Sequence, residues 1–335
     1  MSDTLANLRR KIDRARDLGS VVSTMKALAA ANLAQYEKSV RSLADYYRTV
    51  QLGLSVCVRS RTPALAASVG EVSSDGAGAG TGPRGSGSPH SPRAPDSITG
   101  AIVFGSDQGL VGQFNDIVAD HAAATLALHG GRKKIWAVGE RVHDRLADKQ
   151  LPLNGLFAVP LSLKAVTPFI GQLLLHIMAP GMLEGGVQGK NELAGLYLFY
   201  NRSRSGTAYE PIAQRLLPLD EAWRRSLAEL PWPSKNLPEV VGDVPSTLQA
   251  LVREYLFVSL FRACAESMAS ENASRLTAME RAERNIDQLL DELQKTFYRQ
   301  RQSKIDEELF DVIAGVEALA AAPTGAHPGK RREYG

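Results

Sequence analysis

The chain of 335 residues has only two cysteines, Cys57 and Cys264, far apart in sequence and without metal-ligand spacing, and sequence alone leaves open whether they meet in space. A reduced compartment is the default reading of such usage. Long apolar runs are also absent. The greasiest stretch, "PFIGQLLLHIMAPGML", is broken by prolines, Gln172 and His176, and is too short to cross a bilayer. The opening "MSDTLANLRRKIDRARD" has no apolar core and so does not read as a signal peptide. A net charge of +3, with basic and acidic residues interleaved, predicts no general affinity for nucleic acid or anionic membranes.

Catalytic signatures are equally scarce. The six histidines stand apart, no Gly-x-Ser-x-Gly elbow occurs, and no Gly-Lys-Ser/Thr phosphate loop is present. The loop "FGSDQGLVGQFN" carries Gly105, Gly109 and Gly112, which is not the dinucleotide spacing. It reads as a tight strand-to-helix turn, with Asn115 or Asp116 near the helix start. The acidic pairs Asp291–Glu292 and Glu307–Glu308 read as solvated helix faces.

Proline is missing until Pro63, and only Gly19 and Gly53 interrupt that opening segment. Its apolar seam runs Leu5, Leu8, Ile12, Ala15, Gly19, Val22, Lys26, Ala29, Leu33, Tyr36, Val40, Leu43, Tyr47, Val50, Leu54, alternating steps of three and four. That is the heptad signature of a coiled coil. A second proline-free segment, 246–322, repeats it through Val258, Phe261, Ala265, Met268, Asn272, Arg275, Met279, Ala282, Ile286, Leu289 and Leu293. The frame slips through "TFYRQRQSK" and returns at Leu309, Val312, Val316 and Leu319, a break that locally alters supercoiling. The polar members Lys26, Asn272 and Arg275 are unexpected in a static zipper, although one polar seam residue often only fixes register.

Between the two segments lies a Gly/Ser/Pro-rich stretch that reads as a flexible linker. After it, strand-like runs "ITGAIVFG", "KKIWAVG" and "LAGLYLFY" alternate with helical stretches, predicting a small, mostly parallel α/β domain. The expected division is a coiled-coil helix over 1–60, linker 61–96, α/β domain 97–230, loop 231–245, coiled-coil helix 246–322 and disordered tail 323–335. At about 1.5 Å per residue the helices outrun so small a domain, so they should pair antiparallel. The apolar end "FDVIAGVEALAAA" is then expected to be housed in a partner.

Several motifs in order carry a resemblance. "MASENASRLTAMERAERNIDQLLDELQKTFYRQRQSKIDEELFDVIAGVEAL", "STMKALAAANL", "GSDQGLVGQFN" and "FYNRSRSG" followed by "LLPL" are similar to motifs of the gamma subunits of F-type rotary ATP synthases, the central-stalk family. The resemblance implies an antiparallel coiled coil of the terminal helices with a Rossmann-like α/β domain that binds no nucleotide. It implies a non-catalytic rotor shaft without cofactor or metal, peripheral on the cytoplasmic face of the inner membrane. Its partners would be the alpha and beta subunits, epsilon and the membrane c-ring. Met25, Lys26, Glu271 and Arg275 match the family's contact with the moving lobe of the beta subunit, and Arg301 and Gln302 match a second such contact. Trp232, Lys235 and Glu239 fall where the family meets the membrane ring or epsilon. Gln108, Val111 and Gln113 depart from the family's usual Arg, Cys and Gly, and together with the long linker and basic tail they point to a divergent branch. The competing readings are a coiled-coil scaffold with a ligand-binding α/β head and, more remotely, a stand-alone enzyme.

Overall fold

The computed structural model describes residues 4–69, 98–177, 193–204, 209–217, 221–236 and 238–320. Most of the expected linker and the whole tail 323–335 lie outside these. The described residues form eleven elements in order: α1 (Leu5–Val69), β1 (Ile98–Phe104), α2 (Phe114–Ala127), β2 (Arg132–Val138), α3 (Glu140–Asp148), β3 (Leu153–Phe157), α4 (Leu163–Ile177), β4 (Leu193–Ser203), β5 (Tyr209–Leu217), α5 (Glu221–Ala228) and α6 (Val244–Ala320). Helix α1 continues past the expected boundary at residue 60. Contacts divide the chain into two units, residues 25–279 and the paired ends 1–24 with 280–335.

In the larger unit the strands form one sheet in the order β3-β2-β1-β4-β5. β1 pairs parallel with β2 and with β4, and β2 pairs parallel with β3. β5 closes the other edge antiparallel to β4. The near-continuous apolar runs of β1 and β2 have a simple cause, since successive side chains alternate faces and both faces are covered. Ala101, Val103, Ile135, Ala137 and Phe199 pack under α2 and α3. Ile102, Phe104, Trp136, Val138, Leu198 and Tyr200 pack the opposite face against α4, α1 and α6. Pro168 is tolerated within α4.

The seams also decide what α1 and α6 bury. Tyr36, Val50 and Leu54 of α1 share a core with Tyr255, Leu260, Cys264 and Met268 of α6. The helices run antiparallel, because Gly53 lies against Leu251 while Tyr47 packs on Tyr255. Tyr46 donates to Glu254 at 2.5 Å and the Arg262 guanidinium lies over the Tyr47 ring. Both thiols are buried, and burial raises their pKa, which disfavours the reactive thiolate.

In the smaller unit Leu8, Ile12, Ala15 and Val22 are buried, and Gly19 faces Ile286. Leu289 is half exposed although it belongs to the seam. Beyond the frame slip α6 stays helical, but Leu309, Phe310, Val312 and Val316 are exposed.

Candidate functional site

An open α/β sheet holds its ligand beyond the carboxyl ends of the strands, where successive crossovers leave in opposite directions. Here that place lies between β1 and β4. The loop after β1 is closed upon itself. The Ser106 amide donates to Asn115 Oδ1 at 3.0 Å, and Asn115 Nδ2 donates back to Ser106 Oγ at 2.9 Å. Gly105 is required because a Cβ there would lie 2.3 Å from Val142. Gly139, at φ 115°, lets the β2–α3 turn approach the Ser106 backbone. A loop amide that could have faced a phosphate therefore already has its acceptor.

The crevice itself is filled by α6. Ser270 Oγ donates to the Asn201 carbonyl of β4 at 3.0 Å, and Ser274 Oγ donates to the Val111 carbonyl of the β1–α2 loop at 2.6 Å. Asn201, fully buried, donates from Nδ2 to the Phe114 carbonyl at the start of α2. The chain's own helix stands where a dinucleotide would lie.

What opens to solvent is a cleft of about 230 Å³ on the other side of α6. Its walls come from α1 (Met25, Leu28, Tyr36), α6 (Glu271, Asn272, Arg275) and the β1–α2 and β3–α4 loops (Asp107, Leu161). Glu271 and Arg275 stand one helical turn apart and pair at 2.7 Å, with side chains only 9% and 12% exposed. Burial pushes the Glu271 carboxyl above its ordinary range; Arg275 opposes this and Asp107 adds to it. Arg275 Nε is buried without a hydrogen-bond partner. Asp107 is held in place by the Glu140 and Val159 amides, at 3.0 and 2.8 Å. Leu28 and Leu161 remain exposed at the rim, Leu161 at 92%.

Of the residues singled out by sequence, Met25, Glu271 and Arg275 meet in this cleft. Lys26 is half-buried on the adjoining helix position. Arg301 and Gln302 belong to the other unit, are exposed, and Gln302 donates to Asp306 at 3.0 Å. Trp232 donates to Ser234 within the loop before α6, where Lys235 and Glu239 are exposed. Sequence reasoning missed Asp107 and Leu161 as cleft residues, because a loop's destination is set by the sheet order and leaves no periodic trace. Among the described residues no group of acidic, His or Cys side chains could hold a metal ion.

Comparison with known proteins now decides the family. The ATP synthase family profile matches residues 4–319. The chain belongs to the ATP synthase family. Its relatives are gamma chains: that of Granulibacter bethesdensis is 29% identical, with 94% of this chain and 99% of the relative covered. The gamma chain of Sorangium cellulosum is 28% identical over the same shares. The fold is shared with a chain of the Euglena gracilis mitochondrial ATP synthase in its OSCP/F1/c-ring assembly, at TM-score 0.57 and 17% identity, covering 98% of each. A chain of the rotor of that synthase matches at 0.55 and 16% identity, covering 90% of this chain and 98% of that one. No described helix is long and apolar enough to cross a membrane.

Proposed function

We infer that this chain is the central shaft of an F-type ATP synthase, coupling ion-driven rotation of a membrane ring to the conformational cycle of the catalytic beta subunits. The observation that carries the reading is the family match across nearly the whole chain, joined to an α6 helix that fills the crevice a nucleotide would need. On this reading the subunit is not itself catalytic. It sits peripherally on the cytoplasmic face of the inner membrane, with alpha and beta subunits around the coil and epsilon and the c-ring at its foot. Residues 1–60 and 246–322 form the shaft, 97–230 the hub and 231–245 the foot, with linker 61–96 and tail 323–335 outside these roles.

The cleft around Glu271 and Arg275 is the contact for the moving beta lobe, together with Met25 and Lys26. Arg301 and Gln302 form a second contact further along the helix, and Trp232, Lys235 and Glu239 meet the ring or epsilon. A guanidinium that keeps an unused buried donor suits a bond made and broken at each turn. Apolar burial over the same area would hold one orientation.

The test is to mix the purified chain with the alpha and beta subunits of its own organism and record native mass and ATP hydrolysis. One copy entering a hexameric ring, with a rise in hydrolysis, is expected. A folded chain that never associates would overturn the rotor reading in favour of a scaffold. In the membrane-reconstituted complex, Arg275→Gln should assemble yet lower ATP-driven ion pumping by roughly tenfold, a barrier change of about 1.4 kcal/mol. Unchanged pumping would remove Arg275 from the contact.

A further inference from the structure

Helix α6 presents a second ordered face, distinct from its seam. Glu266, Ser270 and Ser274 recur at steps of four and therefore stack along one stripe. All three are buried, and each is tied to the carboxyl end of the sheet. Glu266 receives Arg202 Nε of β4 at 2.9 Å, Ser270 reaches the Asn201 carbonyl, and Ser274 reaches the Val111 carbonyl.

Glu266 is also gripped from its own helix by Arg262 at 2.7 Å, and Arg262 lies over the Tyr47 ring of α1. Arg202 in turn donates to the Tyr200 hydroxyl at 2.8 Å. Apolar packing between helix and sheet holds the two together through buried area, but each atom contact is weak and non-directional, so it is soft against a small turn. Hydrogen bonds do have direction, and buried ones that are lost on sliding find no water in exchange.

We propose that Glu266, Ser270 and Ser274 form a polar clamp that locks the α/β domain to α6 against rotation, so that torque applied to the domain reaches the coil without slip. The face is ordered for this. The three contacts fall on one strand side chain (Arg202), one strand carbonyl (Asn201) and one loop carbonyl (Val111), spread over two turns of helix, so turning α6 about its axis breaks all three together. Arg262 extends the grip to α1, which holds both helices of the coil to one side of the sheet. These residues act by positioning, and none of them lies in the cleft assigned to the beta lobe. The proposal rests on the rotor reading.

The experiment uses the assembled complex, with the catalytic ring fixed and a probe bead on the α/β domain. The angular variance of the bead reports the torsional compliance between domain and coil. In the Ser270→Ala/Ser274→Ala variant, which removes only two hydroxyls, variance should rise above the native value as two directional contacts are lost. Arg202→Gln and Glu266→Gln should each raise it, and the double variant should add little to either single one. Unloaded ATP hydrolysis should stay at the native rate throughout. Native variance in variants whose thermal stability has fallen would overturn the clamp and leave these bonds as ordinary packing. A chain that does not enter the ring at all would instead overturn the rotor reading beneath it.

Discussion

Glu271 is a carboxylate where water hardly reaches, and Arg275 one turn on is the counter-charge that makes the position tolerable. Desolvation still dominates and the carboxyl titrates above its ordinary 4.5. The sign follows from proton counting. Between 4.5 and the raised value the folded chain binds more protons than the unfolded one, so this group's contribution to stability falls as pH rises through that window. Glu271→Gln removes the effect. Relative to the variant, the native chain should lose about 1.4 kcal/mol of unfolding free energy per unit of pKa elevation on crossing the window. Urea unfolding of both chains at several pH values checks this. Parallel stability curves would mean that Arg275 neutralises the burial penalty fully.

At the scale of elements, α1 and α6 were legible because heptad spacing is a local property that survives in one dimension. The same holds for β1, β2 and β4, whose apolar runs reflect burial on both faces. β3 and β5 left weaker traces. Leu153–Phe157 is an edge strand of alternating exposure, and Tyr209–Leu217 closes the far edge with a proline within it. Edge strands need no continuous apolar run. The seam's polar members were visible as anomalies, yet their partners were not. Asn272 donates to the Met268 carbonyl of its own helix at 2.8 Å, a bond that periodicity cannot reveal. The Glu266–Ser270–Ser274 stripe was equally hidden, since serine and glutamate at helical spacing look like a solvated face until the sheet is known. Because the Asn272 amide bonds within α6, Asn272→Leu should raise unfolding free energy by about 1 kcal/mol, trading a modest hydrogen bond for apolar burial. Thermal unfolding measures it. A loss of that size would instead mean that the site cannot accept a larger apolar side chain without strain.

At the scale of the molecule, the rotor reading seats other chains on the apolar surface that stays uncovered. In the unit formed by the chain ends, Ile305, Leu309, Phe310, Val312, Ile313 and Val316 are all at least 45% exposed. Arg301 and Lys304 beside them are exposed as well. A helix with no tertiary cover opens at little free-energy cost, because isolated helical stability is marginal. Trypsin should therefore cut the isolated chain at Arg301 and Lys304 well before any site inside the strands β1, β2 and β4 themselves. Once the chain is seated in the alpha–beta ring, burial of this end should slow those cuts by about a hundredfold, the equivalent of roughly 2.7 kcal/mol of protection. Phe310→Ser should weaken that protection, since a buried Phe contributes about 1.5–3 kcal/mol. Equal cleavage rates in the free and assembled chain would mean that the apolar end stays solvated in the complex, and that torque enters the ring only through the cleft at Glu271 and Arg275.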